Sequence, residues 1–580
     1  VANNQTVLNR LVGLETEYAL RLPSSAAGPA IGRYALFQQF LGELRRKTLT
    51  APARHFKEGV FLANGGAAWF ETERVASGGG LFEGSTPECR SPRQLLVYQR
   101  AQDALFAAAA AELQGGRVQL LKNDRDAQGN VYGSQENYEV VFARGWRLAL
   151  WRAWLTLLLP AAAVTWIGLW LLTIGIVLYG LIACSVCLAL EAVRVRPRWL
   201  TRALFGAELE ELDATAAGPI WLEQLLDRCA RIWTAPLACG LYCGLWVCAF
   251  HEQRRAMLPF FVSRAVIGGS GMIDREGKFH LASKGAGVNC VLSLGVLGGR
   301  GIFACGHFMK PLCADTRWTW SEIFALYHSR QRMQIALGDS NLCEEAEYLR
   351  IATTALILDV IDAGELPQLP RLRQPVAALQ ALADDPTLQA TIGVGEHALT
   401  AVELQRFYLD ACRRFIDRRP LAPREARSII RRWETVLDAL EHQPQALVGK
   451  LDWVTKQMLL ERTSASASWA AKKKIDIKYH ELSPSGYFQM FDNAGLASHL
   501  LDPEEIERAQ RNPPVGTPAA IRSHYIREFS GGDEPLRATW RAIYLGKGWR
   551  TRRIPLVRAS RSRAAVAQNT TSGASPPKQR

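Results

Sequence analysis

GLETEYAL, residues 13–20, sets two carboxylates, Glu15 and Glu17, two positions apart among apolar neighbours. Successive strand side chains point to opposite faces, so Glu15 and Glu17 share one face and Leu14, Thr16 and Tyr18 the other. At ~3.3 Å per residue their Cα atoms lie roughly 6.6 Å apart, close enough to converge on one hard cation or a pair. A lone E-x-E is equally what a solvated strand face presents. The rest of the chain decides between the two.

The chain has 580 residues, enough for a large catalytic core and one or two smaller parts. A net charge of +14 points to an acidic partner, an anionic membrane surface, or both. No acidic residue follows Glu534, and residues 558–580, RASRSRAAVAQNTTSGASPPKQR, predict a disordered basic tail. No aromatic residue is interleaved with its charges, so no nucleic-acid partner is expected. The twelve cysteines show no paired C-x-x-C spacing that would hold a metal. Cys184, Cys187, Cys239, Cys243 and Cys248 lie in apolar runs and are expected to be buried thiols in a reducing compartment. The leader VANNQTVLNRLVG has no apolar h-region, so no signal peptide is expected there.

Ala153 to Leu190 is 38 residues without a charge. One membrane span needs about 20 apolar residues, so this run predicts a tight helical hairpin over 148–191, turning near Gly168. Arg144, Arg147 and Arg152 precede it and Arg194, Arg196, Arg198 and Arg202 follow, which puts both ends in the cytoplasm. A second uncharged run, Ile232 to Phe250, is then re-entrant or interfacial. The alternative is one crossing by the long run and a return by the second, which would leave the later arginines outside.

Around the insertion, apolar alternation predicts strands near 8–20, 59–71, 117–122 and 136–142. Helical periodicity fits 34–46, 92–113, 344–364, 401–417, 424–441 and 446–460. Strands with intervening helices, then a helix-rich half, indicate an α+β enzyme core. Polar residues cluster where turns meet strands. NGGAAWFETERVASGGGLFEGSTPEC carries Glu71, Glu83 and Glu88; LLKNDRDAQGNVYGSQENYEV carries Lys122, Gln135, Glu136 and Asn137; RQRMQIALGDSNLCEE carries Arg330 and Arg332. Acidic strands beside an arginine strand are the inventory of a metal–nucleotide site, since Mg²⁺ takes oxygen ligands and arginine holds phosphate oxygens.

In order along the chain these stretches resemble the Pup ligase and depupylase family. GLETEY resembles its G-x-E-x-E-[YF] strand, FLANGGAAWFE its L-x-N-G-A-R-L-Y-[LV]-D, and FEGSTPEC its H-P-E-Y-x-x-x-E-C. LLKNDRDAQGNVYGSQENY is similar to K-N-N-x-D-x-x-G-x-S-Y-G-x-H-E-N-Y. LPFFVSRAVIGGSG, GDSNLCEEAEYLRIATTALILDVIDAG, ELQRFYLD and LDWVTKQMLL continue it beyond the insertion.

The resemblance implies a glutamine-synthetase-like carboxylate–amine ligase fold, an antiparallel sheet with packed helices, interrupted by a membrane-embedded helical insertion. The implied division is 1–143 and 257–480 for the catalytic domain, 144–256 for the insertion, with its further apolar segment at 232–250, and 481–557 for a small C-terminal domain. It implies ATP and Mg²⁺ as cofactors. It also implies a small acidic Pup-like modifier and lysine-bearing targets as partners, with a possible link to a proteasome. Ligases of the family activate the modifier's C-terminal glutamate as an acyl phosphate and pass it to a lysine; depupylases break that bond. The implied place is the bacterial inner membrane, multi-pass, with the catalytic domain facing the cytoplasm.

Carried over residue by residue, Glu15, Glu17, Glu83, Glu88 and Gln135 stand at metal positions, and Arg332, Lys122, Asn137 and Arg317 at nucleotide positions. Glu71 stands where the family has its catalytic aspartate. Three family histidines are missing: Gln135, Leu81 and Gln334 occupy their positions. A ligase is the leading expectation, since the stretch from Glu17 to Asn64 is short for the additional depupylase loop. A depupylase, or an impaired membrane scaffold that binds the modifier, are the alternatives.

Overall fold

The alternation in GLETEYAL is realised in β1 (Val12–Arg21), whose side chains are buried and half-buried by turns. The computed structural model describes residues 7–22, 31–54, 57–72, 80–127, 129–193, 198–205, 219–295, 298–313, 320–369, 371–464 and 466–556. Before the insertion it forms α1 (Arg33–Lys47), β2 (Thr50–Pro52), β3 (Glu58–Leu62), β4 (Ala67–Thr72), β5 (Gly80–Ser85), α2 (Pro92–Ala111), β6 (Gln119–Leu121) and β7 (Ser134–Val141). After it come a short β8 (Met272–Ile273)–β9 (Phe279–His280) pair, then β10 (Cys290–Ser293), β11 (Gly301–Ala304) and β12 (Arg330–Gly338). Ten of these strands make one sheet, ordered β10-β11-β12-β7-β1-β5-β4-β3-β2, with β6 paired to the end of β1. Among the described pairs of this sheet only β10 and β11 run parallel. β12 lies against β7, so the sheet closes across the insertion and draws on both halves of the chain.

The face of Leu14 and Tyr18 is covered by helices. Ser91 caps α2 by accepting from the Gln94 N–H at 3.2 Å, with Pro92 in the first turn where its missing N–H costs nothing. Tyr18, Phe82 and Phe106 stack with Phe37 and Phe40 of α1 beneath the strands. The run expected as one strand over 59–71 is two, because the chain turns at Asn64–Gly65. Gly65 has φ +89, and a Cβ there would stand 2.6 Å from Ala519. Asn64 Oδ1 accepts the Gly66 N–H at 3.0 Å and fixes the turn.

The expected hairpin over 148–191 is not formed. α3 (Gly145–Ala192) is a single helix of 48 residues, roughly 72 Å long at ~1.5 Å per residue. A run without polar turn residues has nothing to satisfy the backbone groups a turn would open, so the helix continues. Gly168 makes room for a neighbour: a Cβ there would stand 2.7 Å from the Trp233 ring. Past α4 (Arg198–Phe205) the chain returns antiparallel in α5 (Ile220–Cys248). Gly240 and Gly244 receive Leu158 and Trp154 in the same way, and Trp154 Nε1 donates to Gly240 O at 2.8 Å. The two apolar runs therefore form one antiparallel helical pair, α3 with α5.

Of the most apolar 18 residues of α3, only 6% are buried, which separates it from a core helix. Leu157, Ile167, Leu171, Leu181, Ile182 and Leu188 all face outward. Among the described residues, by length and composition one helix can cross a membrane, or two when α5 is joined to α6 (His251–Ser263), bent by 81°. The base of α3 is seated in the body: Trp151 is fully buried against Phe142 and Phe308 and donates to Leu326 O at 2.8 Å. Of the cysteines expected to be buried, Cys248 is; Cys184, Cys239 and Cys243 are exposed on the helical pair.

α7 (Ala265–Gly268), α8 (Gly306–Met309) and α9 (Trp320–Ala325) lead to α10 (Glu344–Asp362), buried along nearly its whole length. A β13 (Thr391–Val394)–β14 (His397–Thr400) hairpin precedes the helices of residues 401–461. The expected boundary at 480/481 falls inside a paired stretch, because the Leu482 N–H donates to Leu120 O at 2.8 Å. β15 (Leu536–Ala538), β16 (Ala542–Leu545) and β17 (Arg552–Pro555) form a three-stranded sheet that shares its core with Phe61, Ala67 and Trp69. The tail expected at 558–580 lies outside the described residues.

Candidate active site

The odd-numbered face of β1 looks the other way, into a cavity of about 1500 Å³. Register assembles its floor. Glu17 stands opposite Glu83 of β5, Glu15 opposite Gln135 of β7, and Asn137 opposite Gln334 of β12. Lys284, Arg300, His307 and Lys310 also line it, as do Tyr544 of β16 and Trp540 and Arg541 of the turn before that strand. Arg541 reaches Glu322 of α9 at 3.0 Å across the mouth.

Glu15, Glu17, Glu83, Glu88, Gln135, Asn137 and Arg332 all line this cavity. Lys122 does not, which corrects its expected nucleotide role. It is fully buried and paired with Asp103 at 2.7 Å, where Tyr18 also donates to that carboxylate. Arg317 lies outside the described residues. Glu71 pairs through its backbone with Leu81, two positions beyond the Trp69–Glu83 pair; its side chain lies outside the described residues.

Each expected metal carboxylate whose contacts are resolved is held by nitrogen. Glu15 accepts from Arg332 Nη1 at 3.0 Å and from Gln334 Nε2 at 2.9 Å. Gln334 also donates to Gln135 Oε1, so two family histidine positions form an amide bridge against Glu15. Glu83 meets Lys57 Nζ at 2.7 Å. Glu88 takes a two-point bond from Arg522, at 2.6 and 3.1 Å, and that guanidinium lies against the rings of Phe61 and Trp540. Among the described residues no group of three His, Cys, Asp or Glu side chains is placed to hold a metal. Mg²⁺ is usually held by one or two carboxylates with waters and substrate phosphates, and three carboxylates of this floor, Glu15, Glu83 and Glu88, are already neutralised by Arg332, Lys57 and Arg522.

The cavity does fit a polyanion. Ten Lys and Arg side chains line it against six Glu. Desolvation, with Lys57 and Arg332 close by, pushes the Lys310 ammonium down to about 8. Desolvation, with Arg332, Lys310 and Arg541, holds the His307 imidazole far below its ordinary range.

Beneath the site, the two motif turns 122–126 and 338–341 are locked together. Asp339 accepts the N–H groups of Ser270, Ser283 and Lys284 at 2.9–3.0 Å, and Asp124 accepts Ser340 N–H at 2.8 Å. This fixes the segment that carries Lys284 to the end of β12. Ser270 Oγ lies 2.6 Å from Asp124 Oδ2 and 3.1 Å from Asp339 Oδ2. One hydroxyl has one proton to donate, so it cannot fully satisfy both carboxyl groups at once. Burial, then Asp339, accordingly pushes Asp124 up to about 7.

Sequence reasoning missed Lys57, His307, Lys310 and this acid pair. HFKEGV reads as an ordinary turn before a strand, and CGHFMK has no spacing that marks it.

A family model described as Pup-ligase protein matches residues 10–544. A Pup deamidase/depupylase of Mycolicibacterium smegmatis is 32% identical over 312 residues, covering 52% of this chain and 59% of that protein. The chain thus spans about three-fifths of the length of such relatives. A Pup–protein ligase of Corynebacterium jeikeium is 25% identical over 558 residues, covering 91% of this chain and 90% of the relative. A crystal structure of the complex between the prokaryotic ubiquitin-like protein Pup and its ligase PafA matches at TM-score 0.63 and 18% identity, over 98% of this chain and 94% of that one. PafA in complex with ADP matches at TM-score 0.56 and 16% identity, over 94% of this chain and 96% of that one. At these identities the two structures speak to the fold.

Proposed function

The chain belongs to the Pup-ligase family, and from that premise we propose that it is a membrane-held carboxylate–amine ligase. It takes the C-terminal glutamate of a small acidic Pup-like protein, activates the side-chain carboxyl with ATP, and joins it to a lysine of a target protein. The observation that carries this reading is the excess of ten basic over six acidic side chains around one strand face. Such a cavity attracts both a triphosphate and an acidic protein tail.

Arg332 and Lys310 hold phosphate oxygens and stabilise the charge that grows there during transfer. His307, kept neutral, contributes a donor without adding charge. Glu71 is the base that takes the proton from the lysine as its nitrogen attacks the activated carbonyl and phosphate leaves. Its stem is one methylene longer than aspartate, and a displacement of ~1 Å can cost about 10²-fold in rate.

The α3–α5 pair supports a membrane location. Both ends of the insertion return to one body, and Arg144, Arg147 and Arg152 stand at its base, which argues for a body on the cytoplasmic side of a bacterial inner membrane. Flotation of the full chain with lipid vesicles tests it; protein left at the bottom of the gradient removes the membrane.

A depupylase is the second reading, favoured by the 32% identity to a depupylase-named relative. One experiment separates the two. Detergent-solubilised protein receives ATP, a Pup-like protein ending in glutamate and a lysine-bearing acceptor, and ADP and conjugate mass are followed. ATP-dependent conjugate supports the ligase; cleavage of a ready-made conjugate supports the depupylase. Tail binding with neither product leaves a scaffold. Glu71→Ala is expected to abolish turnover, and full activity in it removes Glu71 from the mechanism.

A further inference from the structure

We propose that cations of the protein itself stand in place of the divalent metal in this cavity, with Lys57 at the centre, so that nucleotide binds without Mg²⁺. This rests on the nucleotide site proposed above. Lys57 enters from the segment leading into β3 and reaches Glu83 on β5, two strands away, at 2.7 Å. Between them, Gly59 lets Trp69 of β4 lie close against β3: a Cβ there would stand 2.7 Å from the Trp69 ring. Trp69 is held in turn by its Nε1, which donates to Ser85 Oγ at 3.0 Å. Lys57 is 11% and Glu83 6% exposed, so the pair is largely shielded from water.

The rest of the floor is arranged to the same effect. Both oxygens of Glu15 are occupied, one by the Arg332 guanidinium and one by the Gln334 amide. Both oxygens of Glu88 are occupied by Arg522, itself fully buried and unable to withdraw into water. Gln135 and Gln334 have no basic nitrogen to offer a metal. A divalent cation at Glu83 would displace the Lys57 ammonium while leaving it nearby, like charge against like. With Glu15, Glu83 and Glu88 compensated internally, the floor leaves the positive excess of the walls to act on phosphate directly.

The test is ADP binding by calorimetry to the full chain in detergent, with EDTA and with Mg²⁺. The expected dissociation constants agree within about threefold. ADP binding that tightens about tenfold or more with Mg²⁺ overturns the inference and leaves the nucleotide site standing. No ADP binding under either condition overturns both. Glu83→Gln preserves shape and supplies an independent check. A metal ligand lost would weaken ADP binding in Mg²⁺, and that result overturns the inference. Unchanged or tighter binding, from a Lys57 now turned to phosphate, supports it. Lys57→Ser, which reopens Glu83 to a cation, is expected to make ADP binding depend on Mg²⁺; binding that stays indifferent to Mg²⁺ overturns the part given to Lys57.

Discussion

On β7, Gln135 and Glu136 are neighbours in sequence and face opposite sides of the central sheet. On the cavity side, Gln135 belongs to a network in which Arg332 is 37% exposed and holds Glu15 by a single bond at 3.0 Å. On the core side, Glu136 is 1% exposed and gripped by Arg264 through two bonds of 2.8 Å, with Arg350 and the Tyr138 hydroxyl beside it. The same chemical pair, carboxylate and guanidinium, does two jobs. Under the sheet it holds β7 to the helices. Above the sheet it sets the charge that a ligand meets.

The sharpest way to break that comparison is to remove the core guanidinium. Arg264→Ala leaves Glu136 charged and short of its main partner in a dry interior, which costs about 3–5 kcal/mol. Thermal unfolding of the full chain in detergent reads it. A midpoint close to wild type would show that the core pair is no more structural than the cavity pair.

The second prediction concerns a buried carboxyl neutralised by a proton instead of a cation. Asp124, pushed up to about 7 by burial and Asp339, keeps its proton in the fold while the unfolded chain loses it near the ordinary carboxylate range. The folded pKa lies above the unfolded one, so this group's contribution to stability falls as pH rises toward 7 and is level beyond. The slope from this one group is at most about 1.4 kcal/mol per pH unit. Asp124→Asn removes the titrating proton and still offers an oxygen to Ser340 N–H. Between pH 5 and pH 8 the variant should lose less stability than wild type. Equal losses would mean that other groups set the pH dependence.

How much of this was legible depends on which physical signal carried it. The face shared by Glu15 and Glu17 follows from a period of two, which tertiary structure did not override. The helix starts at 92 and 401 follow from local chemistry, Ser91 with Pro92 and Thr400 with Glu403. Lys122 was misplaced because a motif fixes neighbours along the chain but not the side of the sheet to which a long side chain turns. Gly168 read as a turn because glycine punctuates water-exposed chains; inside an apolar helix it marks where a tryptophan comes close. Lys57 left no sequence signal, since its meaning comes from a partner on β5. The site's residue types were readable, and its ion pairing was a property of the fold.

The smallest expected effect on stability comes from the cavity side and completes the comparison. Arg332 sits at the strand edge in contact with water, and exposed pairs of this kind contribute about 0–1 kcal/mol. Arg332→Ala is therefore expected to unfold within about 1 kcal/mol of wild type, several-fold less than Arg264→Ala. Its cost should appear on the ligand: a charge-assisted bond to phosphate is worth about 1.5–3 kcal/mol, or roughly 10–150-fold in ADP affinity. Glu15 would keep its bond from Gln334, so the floor should hold its shape while losing one positive charge. A variant that loses stability like Arg264→Ala and binds ADP normally would move Arg332 from the ligand to the scaffold, and the two faces of the sheet would then differ only in depth.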